Sequence, residues 1–351
     1  MNFASDNTAG IAPAILDAIV KANESFALGY GNDALTARVS RRFADIFERE
    51  VAVFLLPTGT ASNSLALAHL SPPWGAVLCH EESHIATDEC GAPEFFGGGL
   101  KLIGLPGQAC KITPDALKQS LDRGHWGGPH HVTASVLSLT QSTEAGTVYR
   151  PAEIAALAAL AHDKGLAVHM DGARLANAMV RLQVSPAEAT WKAGVDVLSF
   201  GATKGGALAA EAVVFFDPAR AAAMAERRKR GGHLMSKHRF LAAQFDAYLA
   251  DDCWLDLAAH ANRMADRLAA RLAMAGVDPV WPVEANEVFV VLPREIDVRL
   301  KAAGASYYPW QSGALPNGFS VKDPAVLVRL VTSFATSGAD VDRFAEIVRG
   351  R

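Results

Sequence analysis

The sequence predicts an α/β protein with a mostly parallel, doubly wound sheet and a smaller C-terminal α+β domain. Three observations carry this. Short runs that are apolar on both faces recur between residues 51 and 216, and Ala-rich segments of helical period separate them. At 351 residues the chain also exceeds what one typical core supports. A strand covered by helices on both sides loses the alternating pattern of a half-exposed one, so unbroken apolar runs point to parallel pairing.

Taken in order, the expected strands are Val51–Leu56, Ala76–Cys79, Val132–Leu139, Leu166–Met170, Val195–Phe200 and Ala212–Phe216. A helix is expected over Ser64–Leu70. Another spans Pro151–Lys164, opening on proline and stopping at Gly165, which is the usual punctuation. From Pro218 to about Met274 the pattern is helical, with a break at Asp251-Asp252-Cys253-Trp254. The remainder, Val280–Arg351, mixes helices with short strands at Val288–Leu292 and Val326–Thr332. A boundary near residue 250 follows: residues 1–250 form an N-terminal segment plus the large domain, and residues 251–351 the small one.

Half the residues are hydrophobic, about a fifth are charged, and the net charge is −4. That balance suits a globular enzyme and argues against general nucleic-acid binding. The basic run Arg227-Arg228-Lys229-Arg230 reads as a solvated helix face. No stretch approaches the roughly 20 apolar residues needed to cross a bilayer, and Met1–Asp6 shows no export signal, so a cytoplasmic location is expected. Cys79, Cys90, Cys110 and Cys253 are scattered without a CxxC, so neither a metal site nor a disulfide framework is expected.

The chemistry concentrates at strand ends. Lys204 follows the run ending at Phe200, within Ser199-Phe200-Gly201-Ala202-Thr203-Lys204-Gly205-Gly206, and Asp171 closes His169-Met170-Asp171. Open α/β sheets bind ligands at the carboxyl ends of their strands. A lysine on one strand end and a carboxylate on another is the pair that holds pyridoxal phosphate. The amine attaches to its aldehyde, and the carboxylate keeps the pyridine nitrogen protonated. Arg174 can reach the same pocket and the ring oxygen. Thr58-Gly59-Thr60-Ala61 joins a strand to a helix, so Gly59, Thr60 and Ala61 are candidates to cradle a phosphate. His84, with His80 close by, can stack on a cofactor ring and exchange protons near neutral pH. His130 and His131 are candidates to reach a substrate hydroxyl, Arg230 or Lys237 to donate to a phosphate, and Arg329 to grip a carboxylate in two-pronged fashion.

Three segments, His169–Ala178, Ser199–Gly206 and Tyr30-Gly31-Asn32-Asp33, together resemble the threonine aldolases. These are pyridoxal-phosphate enzymes of the β-eliminating lyase group, with the aminotransferase fold type I, and the resemblance runs from Ser5-Asp6-Asn7-Thr8 to Arg329. It implies Lys204 as the covalent cofactor lysine, Asp171 as the pyridine partner, Arg174 on the ring oxygen, Gly59 and Thr60 on the phosphate, and His84 stacked on the ring. Ser5 and Arg329 would hold the substrate carboxylate. Tyr30 would lie near a neighbouring subunit's site in a homotetramer built from dimers. Where the family often carries a glycine triplet and Met-Arg-Gln, this chain has Gly232-His233-Leu234-Met235-Ser236-Lys237, which puts Lys237 forward as a phosphate contact. The family's substrate-side histidine maps onto His130 or His131.

The implied reaction is cleavage of a β-hydroxy-α-amino acid, such as threonine, allo-threonine or phenylserine, to glycine and an aldehyde. The base is His84, or a water held by His130 or His131. Two readings compete with it. One is another pyridoxal-phosphate lyase that expels a β-substituent. The other is a non-catalytic phosphate-binding α/β protein that uses only Gly59 and Thr60.

Overall fold

The computed structural model describes residues 1–350. Twelve strands occur in chain order. They are β1 (Ala52–Leu56), β2 (Gly75–His80), β3 (Lys101–Leu105), β4 (Gly107–Gln108), β5 (Lys111–Ile112) and β6 (Thr133–Thr140). Then come β7 (Ala167–Gly172), β8 (Val197–Gly201), β9 (Glu211–Phe215), β10 (Glu287–Leu292), β11 (Tyr308–Pro309) and β12 (Val326–Val331). The main sheet has seven strands in the order β1-β9-β8-β7-β6-β2-β3. Only β9 is antiparallel to its neighbours, so six strands share one direction, as the apolar runs require.

β6 and β7 are in register with Thr140 opposite Asp171, and β7 and β8 with Asp171 opposite Ser199. The carboxyl ends of these strands therefore lie along one edge. Reversal of β9 brings its first residue, Glu211, to the same edge, opposite Gly201. The end of β8 is anchored from beneath by Phe200. Its ring meets Phe43 at 5.3 Å and Trp254 at 5.4 Å, and Phe245 also packs there. Burying one such aromatic contributes about 1.5–3 kcal/mol.

The second sheet has the order β10-β12-β11 and its own cluster of Phe3, Leu268, Leu272, Val288, Val290, Val328, Leu330 and Phe344. One helix, Cys253–Ala273, belongs to both layers. Trp254 and Ala258 sit in the main cluster, and Ala265, Leu268 and Leu272 in the second. The chain's first residues also pack on the second sheet, with the Phe3 amide donating to Ser306 and its carbonyl accepting from Val331.

Two features differ from expectation. Edge strand β3 carries Lys101 and Gly104 and is only partly buried, so it lacks the apolar signature used to find the others. The long helical stretch is interrupted at Gly231–His238, because Gly232 adopts φ of 80° and ends the helix Met224–Arg230. The break at Asp251 and Asp252 is present, with φ of 50° and 55°.

Candidate active site

The strand ends surround a cavity of about 550 Å³, within the size range of small-molecule sites. Lys204 enters it from a loop held at several points. The Ala202 amide donates to Ala210 at 3.0 Å, and the Ala12 amide donates to Gly206 at 2.8 Å. Two glycines let this loop pack closely. A Cβ on Gly201 would lie 2.7 Å from the Ala173 Cα, and one on Gly205 would lie 2.1 Å from the Tyr248 hydroxyl. Any larger residue at Gly201 would force the loop that carries Lys204 away from the turn that follows Asp171.

Asp171 is 5 % exposed, and its carboxylate accepts from the Ala173 amide at 3.0 Å and the Asn63 side chain at 2.8 Å. Burial alone would raise its pKa. The nearby His84 and Lys204 charges, with these two hydrogen bonds, instead hold it below the usual carboxylate range. Asn63 also donates to Glu89 at 2.8 Å, and Glu89 meets His84 Nδ1 at 2.9 Å. The Glu89 contact raises the His84 pKa. A chain of Asp171, Asn63, Glu89 and His84 thus fixes the imidazole over the carboxylate. Although His84, Glu89 and Asp171 bring their ligand atoms within 4.8 Å of one another, the Asn63 NH₂ group donates between the two carboxylates, which suits an anion pair rather than a cation.

The helix Gly59–Leu70 begins at the cavity wall. Thr58 caps it by accepting from the Ala61 amide at 3.2 Å, leaving the Gly59 and Thr60 amides at its open end. Opposite lies a charged cluster. Arg174 donates to both Asp6 oxygens at 2.7 and 3.1 Å, and Asn286 donates to Asp6 at 3.1 Å. Burial opposes the Arg174 charge, but Asp6 and Glu287 outweigh it and raise its pKa. Glu287 lies 3.5 Å from Arg174 and 3.8 Å from Arg329. The Arg329 guanidinium sits 4.5 Å from the Trp310 ring centroid.

Eight expected residues line this cavity: Ser5, Gly59, Thr60, His84, Asp171, Arg174, Lys204 and Arg329. Four do not. His130 and His131 precede β6, whereas the cavity is at that strand's far end beside Thr140. Eight residues at about 3.3 Å each separate them from it by roughly 25 Å, so neither reaches this protomer's site. Lys237 and Arg230 are exposed around the unforeseen break at Gly231–His238, away from the cavity. Tyr30 is half-exposed in an adjoining loop, its amide donating to Ser236 at 2.9 Å and its ring 5.0 Å from the Lys229 ammonium. His80 is buried and bonds the Glu82 amide at 3.1 Å, a structural role.

Several lining residues were not singled out from sequence: Asn63, Glu89, Glu144, Glu211, Glu287 and Trp310. Glu89 lies five residues after His84 across a single helical turn, a spacing with no periodic meaning. Glu287 opens an apolar run and reads as an ordinary strand-end charge. Burial raises Glu211 to about 7. Trp310 is carried by a segment that Glu82 clasps through the Ser312 hydroxyl (2.7 Å) and the Gly313 and Ala314 amides. We expect Glu82→Ala to free that segment, seen as faster proteolytic cleavage between residues 310 and 325 and a several-fold higher KM. Unchanged proteolysis would show that the clasp is dispensable.

An α/β sheet with a lysine, an ionised carboxylate and a helix N-terminus converging on one cavity defines a pyridoxal-phosphate type of site. The chain belongs to the beta-eliminating lyase family, whose model matches residues 2–295 and whose members depend on pyridoxal phosphate. It is 46 % identical over 308 residues to a low specificity L-threonine aldolase of Pseudomonas aeruginosa, covering 87 % of this chain and 88 % of the relative. A second such aldolase, from a Pseudomonas species, is 44 % identical over the same shares. Among solved structures, a Leishmania major threonine aldolase superposes with a TM-score of 0.92 at 29 % identity, covering 99 % of this chain and 98 % of that one. A serine palmitoyltransferase from Sphingomonas wittichii, at 16 % identity and TM-score 0.72, covers 100 % of this chain and 86 % of that one and shares the fold.

The donor set fits the cofactor. The buried Asp171 carboxylate is kept ionised, as a protonated pyridine needs. Asn63 Oδ1 and Arg329 Nε are buried polar atoms with no partner among the described residues. The open helix end offers amides to a phosphate.

Proposed function

We propose that this chain cleaves L-threonine, L-allo-threonine or related β-hydroxy-α-amino acids, phenylserine among them, to glycine and an aldehyde. The observation that carries the reading is the shared cavity of Lys204, Asp171 and Arg329, together with the 46 % identity to a low specificity L-threonine aldolase. Bound pyridoxal phosphate would supply a ring that accepts the electron pair released from the Cα–Cβ bond. Lys204 would hold its aldehyde carbon, Asp171 its pyridine nitrogen, Arg174 its ring oxygen, and the Gly59 and Thr60 amides its phosphate. His84 would cover the ring face. Ser5 and Arg329 would fix the substrate carboxylate, so that the Cα–Cβ bond stands perpendicular to the ring and breaks in preference to the Cα–H bond.

Glycine and aldehyde as products support this reading, and pyruvate with ammonia would favour a β-eliminating lyase instead. Replacing Arg329 with lysine keeps the charge but loses the two-pronged grip. We expect KM to rise about 10–100-fold, matching the roughly 1.5–3 kcal/mol of a charged hydrogen bond, with kcat less affected. Steady-state kinetics with threonine checks this, and an unchanged KM would remove Arg329 from substrate binding.

We further propose a homotetramer in the cytoplasm, with a role in threonine breakdown and glycine supply, and a division into residues 1–250 and 251–351. Tyr30, exposed beside Phe26 and Leu28, supports a shared subunit interface. No helix among the described residues is long and apolar enough to cross a membrane.

A further inference from the structure

Retro-aldol cleavage needs a group to take the substrate's hydroxyl proton, and the two histidines expected to help lie at the wrong end of β6. The cavity's own acids and bases are mostly committed. Asp171 accepts from Asn63 and Ala173, and Glu89 is engaged by Asn63 and His84. Glu287 faces the two arginines, and Glu211 is engaged by Thr203 and the Lys204 charge. Glu144 is different. It follows β6 at the cavity edge, and one carboxylate oxygen accepts the His84 amide at 2.9 Å, which fixes its position. The other, Oε2, is buried without a hydrogen-bond partner among the described residues. Glu89 Oε2 and the Glu287 oxygens are too, but those carboxylates already face His84 or the two arginines, whereas no cation among the described residues pairs with Glu144. The same loop packs against β10 at Gly146, where a Cβ would lie 3.0 Å from that of Glu287. Glu144 therefore stands between His84 and the side of the cavity where Arg174 and Arg329 lie.

We propose that Glu144 is the catalytic residue that accepts the β-hydroxyl proton; this rests on the aldolase reading above. The hydroxyl proton passes to Oε2, the C–O bond becomes the aldehyde carbonyl, and the Cα–Cβ pair stays with the glycine fragment. That fragment regains one proton, so no oxidant or reductant is needed. The environment suits the task. Burial, with a smaller push from the Asp171 charge, raises the Glu144 pKa to about 7 against the opposing hydrogen bond from the His84 amide. Cys79, Cys110 and Tyr149 are the other titratable groups it influences, and burial keeps all three in their neutral forms at that pH. The carboxylate form thus grows as pH rises through neutrality, and cleavage should rise with it.

The test begins with wild-type cleavage of threonine, allo-threonine and phenylserine; no cleavage of any of them would defeat the aldolase reading and not the assignment of the base. Given that activity, Glu144→Gln is expected to bind cofactor with a normal spectrum yet lose about 10²–10⁴-fold in kcat/KM, together with the rise near neutral pH. Exchange of the glycine α-proton in D₂O, followed by NMR, involves no hydroxyl. Its loss should be far smaller than that of cleavage, whereas general damage would lower both alike. In the cofactor-free protein, infrared difference spectra should lose a protonated-carboxyl band near neutral pH in wild type, and the loss should be smaller in Glu144→Gln, where Glu211 alone supplies it. Near-normal cleavage in Glu144→Gln, or a neutral-pH rise that persists there and vanishes only in a His84 variant, would overturn the proposal. If Glu144→Gln does not load cofactor, Glu144→Asp decides: a pH rise at an unmoved position overturns it.

Discussion

Lys204→Ala is expected to abolish the near-visible absorbance of covalently held cofactor and to lower cleavage by roughly 10³-fold or more, since it removes the nucleophile itself. The loop should survive. It is held by backbone bonds from Ala202 to Ala210 and from Ala12 to Gly206, which an alanine at 204 leaves intact. Thermal stability near wild type with the absorbance gone would therefore mark a chemical rather than a structural loss. Cleavage of threonine at close to the normal rate would sink the assignment of this lysine, and with it the reading of the cavity.

Asp171→Asn should lower kcat by about 10²–10³-fold, the usual scale for removing one preorganised electrostatic group. The amide is nearly isosteric but carries no charge, so the pyridine nitrogen would lose the partner that keeps it protonated. One side-chain contact would also turn unfavourable, because the Asn63 NH₂ group now donating to Asp171 could meet an NH₂ group there. Cofactor should remain bound through Lys204 and the helix end, with a shifted absorbance. Full turnover by this variant would mean that ring protonation is not what the carboxylate supplies.

The chemistry at strand ends was legible because the sheet's geometry is periodic. Once β7 and β8 are recognised as adjacent parallel strands, the residues just past their ends must share an edge, and Asp171 and Lys204 follow. Ser5 was reached through family resemblance, since nothing in its local pattern distinguishes it from a surface polar residue, whereas Arg329 stood out as a charge inside an apolar run. Resemblance maps His130 and His131 onto the chain and not onto a protomer's own cavity, and the length of β6 keeps them from that cavity. Lys237, put forward from the motif at Gly232–Lys237, lies exposed in a segment where the expected helix breaks and does not line this protomer's cavity. Glu89, Glu144 and Glu287 were invisible for a different reason. Their roles depend on contacts between separate loops, and a buried carboxylate leaves no local trace in sequence.

Residues 1–12 run like a drawstring through the protein. Phe3 is sewn to the second sheet, Asp6 grips Arg174, and Ala12 ties the turn that follows Lys204. The amino group of Met1 lies 3.6 Å from Asp340. Trimming this stretch, or fusing a purification handle to it, would tug on both rims of the cavity at once. A handle attached after the helix Gly338–Val348 would leave that thread slack and the cavity's margins undisturbed.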